Sequence, residues 1–479
     1  MIPVLTPAEM ARVDREATEP VDALIARAGR AVAAEALRLL GGAYGRRVVV
    51  IAGSGNNGAD GRAAAATLAA RGARVAVVPP GEGALPPADL VLDAAYGTGL
   101  SRPYRPPALP PGGGPQVLAV DIPSGVNGAT GEIPAGGGAL GAEVTVTFGA
   151  LKPGLLLGAG RGRSGRVAIS GIGLEAACSA AASAWLVTDD DAALLPGRPA
   201  DAHKWQSALG VVAGSPGMTG APWMVSHGAM RAGAGYVRLG IPGLDPGAAR
   251  LPPGEVVGVA VDPGDWAGVV ARCRAVVVGP GLGTAVGRGP EGEVGRLLVG
   301  AGELPAVVDA DGIGALGSLD AVAEVVSRRS APLVLTPHDG EWLRLVGSAP
   351  GPDRLEAVRS AARHSGAVVL LKGSVTVVAA PDGRALIAGA GSARLATAGT
   401  GDVLSGVIGA FLARGMPALE AAGLGAHAHG RAAGLGRGEG LVAGDLPELV
   451  AAWLSAGVAR VPAAAVELAG AAAPRGGWA

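Results

Sequence analysis

The stretch from Arg46 to Val78 reads RRVVVIAGSGNNGADGRAAAATLAARGARVAVV, and its order of parts leaves the backbone few choices. An unbroken β-branched run suits a strand covered on both faces, and the glycine and asparagine segment suits a turn. The alanine-rich segment then suits a helix that returns the chain to a second apolar strand. This is a βαβ unit. Shorter apolar runs follow and end in polar loops, ADLVLDAAYGTGL around Asp93 and PQVLAVDIPSG around Asp121. Loops that leave the carboxyl ends of parallel strands gather at one edge of the sheet, where such sheets bind ligands.

The second half repeats the pattern with other loops. SALGVVAGSPGMTGAPWMVSHGAMRAGAGYVRLGIP is again strand, glycine turn, helix and strand, followed by AVVVGPGLG, PAVVDADG, PLVLTPHDGE and AVVLLKGSVTVVAAPDGRALIAG. The last contains a hairpin turned by Pro381, Asp382 and Gly383, which predicts antiparallel strands at one edge of that sheet. A chain of 479 residues exceeds what one core serves. The polar, proline-bearing segment VTDDDAALLPGRPADAHKWQ places the join near Trp185 to His203, giving domains of residues 1–190 and 191–479.

Hydrophobic residues at 49% against 16% charged supply two cores and exclude disorder by composition. A net charge of −1 without any lysine or arginine block argues against nucleic acid and anionic membrane as partners and favours a small molecule. Cys178 and Cys273 stand far apart without a CxxC, which speaks for buried thiols in a reducing cytoplasm rather than a zinc site or a disulfide. The first residues lack the pattern of a secretory signal; Thr6, Pro7 and Glu9 read instead as a capped helix start. The longest uncharged run, Ala208 to Met230, is broken by glycines, prolines and a histidine and does not read as a membrane span.

Several loops carry residues suited to chemistry. In GSGNNGADG, Gly53 to Gly61, glycines let backbone approach a phosphate and the following helix start adds amide donors. The spacing departs from G-x-G-x-x-G, and a tight connection accounts for the glycines equally well. Asn56, Asn57 and Asp60 add groups able to orient a polar ligand or hold a hard cation. Asp93 and Asp121 each follow an apolar strand, where a carboxylate either caps a turn or binds something. With Ser124 they offer oxygens to a monovalent cation and one carboxylate for proton transfer. Lys372, in KGSVT, is either a surface lysine or a phosphate contact, and His338, in TPHDGE, either a packed or exposed side chain or a substrate contact.

LATAGTGDVLSG, Leu395 to Gly406, is the sharpest signal. Ala398 to Gly401 suit an anion hole at the start of a helix whose Val403, Leu404, Val407, Ile408 and Phe411 recur at helical spacing. A carboxylate repels phosphate, so Asp402 suits a base towards a hydroxyl that attacks phosphate. The alternative is a first-turn acid stabilised by the helix dipole.

Taken together, the motifs resemble a known family. GTGDVLSG, GPGLG at Gly279 to Gly283, TPHDGE and KGSVT are similar to the ADP-dependent dehydratase domain of the bifunctional NAD(P)H-hydrate repair enzymes. GSGNNGADG, DAAYGTGLSRP and DIPSGVNGATG resemble the epimerase domain of the same family, in order and over nearly the whole chain. The resemblance implies an α/β fold of two tandem domains, an N-terminal Rossmann-like three-layer domain and a C-terminal ribokinase-like domain. It also implies a metabolite-repair reaction. The R and S forms of the hydrates NADHX and NADPHX are interconverted, and the S form is dehydrated to NAD(P)H at the expense of ADP, giving AMP and phosphate.

By the same resemblance, the hydrate meets Asn56, Asn57, Gly58, Ala59, Asp60, Gly97, Thr98, Gly99, Leu100, Ser101, Arg102, Pro103 and Asp121 in the first domain. Asp121 moves protons there, and K+ lies on Asn57, Asp93 and Ser124. In the second, Ala221, Gly281, Gly283, His338 and Asp402 meet the hydrate. Lys372, Gly373, Ser374, Val375, Thr376, Gly399 and Gly401 meet ADP, accompanied by Mg2+, and Asp402 activates the hydroxyl. A cytoplasmic homo-oligomer is implied. The alternative is a ribokinase-like small-alcohol kinase of the thiamine-precursor type, fused to a non-catalytic binding module. Three departures stand out: Ala59 where the family usually has a second glycine, Trp205 in HKWQSALG at a normally small position, and SGVNG without the usual aromatic and acid.

Overall fold

The computed structural model describes residues 1–100, 102–109, 114–244, 254–261, 265–284 and 287–456. The chain forms two compact units that meet in sequence at Ser183 and Ala184.

In the first unit six parallel strands lie in the order Arg74–Val78, Arg47–Ala52, Leu90–Ala94, Gln116–Val120, Val144–Phe148 and Arg166–Ser170. The βαβ unit predicted between Arg46 and Val78 is completed by the helix Asn56–Ala70. Val48, Val50, Leu90, Leu92, Leu118 and Val120 face one core with Val32, Ala36 and Leu68 of the covering helices. Val49, Ile51, Val91 and Val117 face another with Tyr104 and Leu140. Burial on both faces is why these strands read as continuous apolar runs rather than alternating ones. The strand order reverses between Arg47–Ala52 and Leu90–Ala94, so their following loops part and leave a crevice at the carboxyl edge. The helix Pro7–Glu16 begins as read: Glu9 N donates to Thr6 Oγ1 (3.2 Å) and Thr6 N to Glu9 Oε2 (2.7 Å).

The second unit is built on strands in the order Ala184–Leu186, Ala385–Ala388, Thr376–Ala379, Val368–Leu371, Leu333–Leu335, Ala306–Val308, Ala275–Val278, Ala208–Val212, Tyr236–Gly240 and Val256–Val259. Strands from Val256–Val259 to Val368–Leu371 run parallel. Thr376–Ala379 and Ala385–Ala388 form the expected antiparallel hairpin, closed by Gly383 N donating to Ala380 O at 3.0 Å, but not at the sheet edge, because Ala184–Leu186 pairs in parallel beyond Ala385–Ala388. Here the order reverses between Ala208–Val212 and Ala275–Val278.

Above that sheet the helices Gly220–Arg231 and Thr400–Ala413 pack backbone to backbone. A Cβ on Gly406 would lie 2.1 Å from Val225 O, and one on Gly409 2.4 Å from Val277. Glycine at these positions therefore lets the helix carrying Asp402 press on the sheet. Val403, Val407, Ile408 and Phe411 are wholly buried there. Cys178 and Cys273 are buried free thiols, as expected. Among the described residues no helix is long and apolar enough to cross a membrane.

Candidate active sites

At the carboxyl edge of the first sheet lies a cavity of 690 Å³ lined by Asp14, Asn56, Asn57, Asp60, Gly97, Thr98, Arg102, Asp121 and Lys152, among others. Asp121 follows its strand in a left-handed conformation, φ 66°, which Asp tolerates better than most residues. Its Oδ1 accepts from Lys152 Nζ at 2.6 Å and from Thr147 Oγ1 at 3.2 Å. Lys152 is 1% exposed and also donates to Thr147 Oγ1 (2.9 Å) and Phe148 O (3.0 Å), so its three protons are all engaged. The other oxygen of Asp121, Oδ2, lies beside Gly97, 3.6 Å from where a Cβ would stand, close to the Asn57 side chain.

Three acids share this cavity with one ammonium. Burial, reinforced by Asp121 and Asp14, pushes the Asp60 carboxyl up to about 8, and burial also raises Asp14. Near neutrality Asp60 therefore carries a proton, while Asp121 is held against Lys152. A protonated acid and a charge-paired carboxylate on one cavity are the two parts of acid and base catalysis.

Beneath the cavity, Asp93 is wholly buried and its carboxyl raised by that burial. Ser124 N donates to Asp93 Oδ2 at 2.9 Å, and Ser124 Oγ bridges to Tyr96, donating to its O (3.1 Å) and accepting from its N (2.9 Å). Asn57 Oδ1 and Nδ2 are both buried without a hydrogen-bond partner among the described residues. A buried carboxylate and an orphaned amide oxygen are a donor set suited to a hard cation. Of the loop Gly97 to Pro103, Ser101 lies outside the described residues; Gly97, Thr98 and Leu100 are half-buried, and Gly99, Arg102 and Pro103 exposed.

In the second unit three neighbouring strand ends deliver Asp309, the turn bearing His338 and Glu341, and Lys372. Lys372 Nζ donates to Asp309 Oδ1 at 2.8 Å and lies 3.6 Å from Glu341 Oε2. Burial alone would lower the lysine, but Asp309 and Glu341 outweigh it and keep it charged. Ser405 Oγ, one turn into the helix from Asp402, donates to Asp309 Oδ2 at 2.6 Å. A Cβ on Gly401 would stand 3.4 Å from Lys372 Nζ, so the lysine sits against the helix start. Gly399 takes φ 88° to begin that helix, in which only Gly401 and Asp402 escape full burial. Burial first, then Asp309, push Asp402 up to about 7, with Lys372 opposing.

His338 caps the helix Asp339–Val346: its Nδ1 accepts from Gly340 N (2.9 Å) and Glu341 N (3.3 Å), leaving Nε2 3.4 Å from Glu341 Oε1. At the reversal of strand order, a Cβ on Gly281 would touch that of Ala221 at 3.0 Å, which brings the two turns together. Gly283 N donates to Asp311 Oδ2 at 2.9 Å, and Asp311 is among the charges that raise Asp402. Gly373 lies under Arg354, whose Nη2 donates to Lys372 O at 3.2 Å; Ser374 is exposed, Val375 buried and Thr376 half-buried at the next strand start. The structure thus gathers Lys372, Gly401 and Asp402 with Asp309, Glu341 and Ser405, and sets Ala221, Gly281 and Gly283 around the neighbouring switch point.

Comparison with known proteins matches both halves. A family model described as NAD(P)H-hydrate dehydratase covers residues 209–453, and one described as YjeF-related protein N-terminus covers 21–85 and 78–154. The bifunctional NAD(P)H-hydrate repair enzyme Nnr of Mycobacterium tuberculosis is 39% identical over 451 residues, 85% of this chain and 88% of that one. The chain belongs to the bifunctional NAD(P)H-hydrate repair enzyme family. The ADP-dependent (S)-NAD(P)H-hydrate dehydratase of Neisseria meningitidis is 40% identical over 54% of this chain and 88% of its own. A solved ADP/ATP-dependent NAD(P)H-hydrate dehydratase of Bacillus subtilis, co-crystallised with ATP and Mg2+, is 26% identical and covers 56% of this chain and 97% of its own at TM-score 0.46.

For a member of the NAD(P)H-hydrate repair family, the three departures have local explanations. Ala59 is half-buried inside the helix Asn56–Ala70 and its methyl is accommodated. The glycine that the loop requires is Gly58, where a Cβ would lie 1.9 Å from Gly53 O. Trp205 packs on Tyr236, ring centroids 4.6 Å apart, under the Arg272 guanidinium. In SGVNG, Val126 is buried and Asn127 Oδ1 accepts from Ala129 N (2.9 Å) and Thr130 N (3.1 Å), closing its own turn. Gly58→Ala is expected to destabilise the first unit by about 2 kcal/mol, the scale of forced overpacking, while Ala59→Gly costs no more than about 1 kcal/mol. Urea unfolding of the two variants measures the difference.

No local pattern marks Lys152, Asp14 or Ser405. Asp309 has the same signal as Asp121, an acid directly after an apolar strand, whereas Asp93, expected to follow its strand, stands inside Leu90–Ala94.

Proposed function

We propose that the chain epimerises the hydrates of NADH and NADPH in its first unit and dehydrates the S form at the expense of ADP in its second, with residues 1–190 and 191–479 as the respective domains. The observation that carries the reading is the pairing of two separate acid and base sites on one chain, each at a sheet edge suited to nucleotides, in a member of this family.

A carbon that bears a hydroxyl inverts when that oxygen leaves one face and water returns on the other. Protonated Asp60 supplies a proton to the departing oxygen. Asp121 receives one from the incoming water through Oδ2, while Lys152 and Thr147 hold Oδ1 fixed. Asn57, Asp93 and Ser124 would hold K+, which would supply a fixed positive charge beside the substrate. The loop from Gly97 to Pro103, with Asn56, Gly58 and Ala59, forms the wall that orients the hydrate.

In the second unit Asp402 takes the proton of the hydroxyl as its oxygen attacks the terminal phosphorus of ADP, with AMP as the leaving group. Hydroxide leaves poorly and phosphate well, so loss of phosphate together with a ring proton then restores NAD(P)H. Lys372 and the amides at the helix start near Gly399 and Gly401 steady the transferring phosphate. Gly373, Ser374, Val375 and Thr376 follow the nucleotide, and Ala221, Gly281, Gly283 and His338 the hydrate. Among the described residues no three acids, histidines or cysteines converge as a metal cage, so Mg2+ would be held chiefly by the phosphates.

Cosubstrate choice separates this reading from the small-alcohol kinase. Hydrate with ADP is expected to yield reduced nicotinamide and AMP. Phosphorylation of a thiamine precursor with ATP, together with silence towards hydrate and ADP, would overturn the proposal.

A further inference from the structure

The wall of the first cavity is shared with a second cleft. Tyr96 and Arg102 line both, and beyond them a cleft of 470 Å³ is bounded by Glu82, Tyr104, Arg105, Ala135 and Gly136. The two spaces are therefore neighbours across a single arginine and a single tyrosine.

The chemistry of the partition is specific. The Arg102 guanidinium lies over the Tyr96 ring, 5.9 Å from its centroid, and has no carboxylate partner among the described residues. Tyr96 is steadied edge-on by Tyr104, centroids 5.2 Å apart at 73°. A second arginine, Arg105, is held in the far cleft by Glu82 Oε1 (3.1 Å) and Gly136 O (3.1 Å). Tyr104 is 5% exposed, and its hydroxyl is buried without a partner among the described residues. Gly81 and Gly136, with φ of 159° and 76°, add no side chain of their own to the cleft. An uncommitted cation between two spaces, each within the range that holds a drug-sized ligand, suits a molecule with two ring-bearing ends and an anionic middle.

We propose that the second cleft seats the adenosine half of the dinucleotide while Arg102 grips the diphosphate between the two cavities. The proposal rests on the reading that the first cavity epimerises hydrated nicotinamide. It makes the epimerase a reader of the whole dinucleotide, with affinity drawn from a part of the substrate remote from the reacting carbon.

The test compares epimerisation of the dinucleotide hydrate with that of the corresponding mononucleotide hydrate, which lacks the adenosine half. Ala135→Trp fills the second cleft. It is expected to raise KM for the dinucleotide hydrate about 10-fold with kcat unchanged, and to leave the mononucleotide hydrate unaffected. Retained turnover of the mononucleotide shows that the variant is folded. Arg105→Gln should act in the same direction, and Arg102→Gln should raise KM for both substrates, since both carry a phosphate. Equal effects of Ala135→Trp on the two substrates, or no effect on the dinucleotide, overturn the subsite alone. Wild-type protein that epimerises neither hydrate overturns the functional reading beneath it.

Discussion

Asp402→Asn is expected to lower ADP-dependent dehydration by about 100- to 10,000-fold, the contribution of a well-placed base, while epimerisation continues unchanged. The carboxyl titrates at about 7 because burial and Asp309 oppose its charge more than Lys372 supports it. The base must be ionised to work, so wild-type kcat/KM for the hydrate, which reports the groups of the unliganded enzyme, should climb with pH and level off above about 7. Stability should move the other way. A carboxyl whose folded value is raised contributes stability below its unfolded value near 4, and loses that contribution as pH rises through about 7. The amide introduced by Asp402→Asn is neutral throughout and should show no such loss, so the variant should gain stability relative to wild type at alkaline pH. Undiminished dehydration by the variant would contradict the assignment.

Lys152→Met is expected to do the converse. It leaves dehydration of the S hydrate intact, strands the R hydrate, and destabilises the first unit by about 3 kcal/mol, as breaking a buried ion pair does. The lysine is the only ammonium facing Asp14, Asp60 and Asp121 among the described residues, and it satisfies Thr147 and Phe148 O as well. A methionine of similar length fills the space but leaves Asp121 Oδ1 with Thr147 alone. Denaturant unfolding followed alongside epimerisation of the R form reads both effects. A variant with unchanged stability and normal epimerisation would remove Lys152 from the site.

Much of the fold is written in local pattern. Strands such as Arg47–Ala52 and Ala275–Val278 are buried on both faces, so their apolar runs are continuous, and the glycine turns after them mark where the sheet edge opens. Lys372 is ambiguous in sequence because its partners Asp309 and Glu341 come from other strand ends, Asp309 standing 63 residues away in the chain. Lys152 is invisible for a similar reason: nothing adjacent to it hints that Asp121 lies 2.6 Å from its ammonium. His338 shows a different limit. Its ring caps a helix with Nδ1, a role that sequence patterns assign to Ser, Thr, Asp or Asn before His. Ala59 stands out in the N-N-G-A-D-G spacing because that spacing does not show which glycine meets backbone; the contact belongs to Gly58.

The most direct measurement gives purified protein each hydrate epimer separately, with and without ADP, and follows the absorbance of reduced nicotinamide. Both epimers are expected to be converted when ADP is present and neither without it, with AMP accumulating in step. Conversion of the S epimer alone would contradict an active epimerase in the first unit, and conversion of neither would contradict the repair function itself.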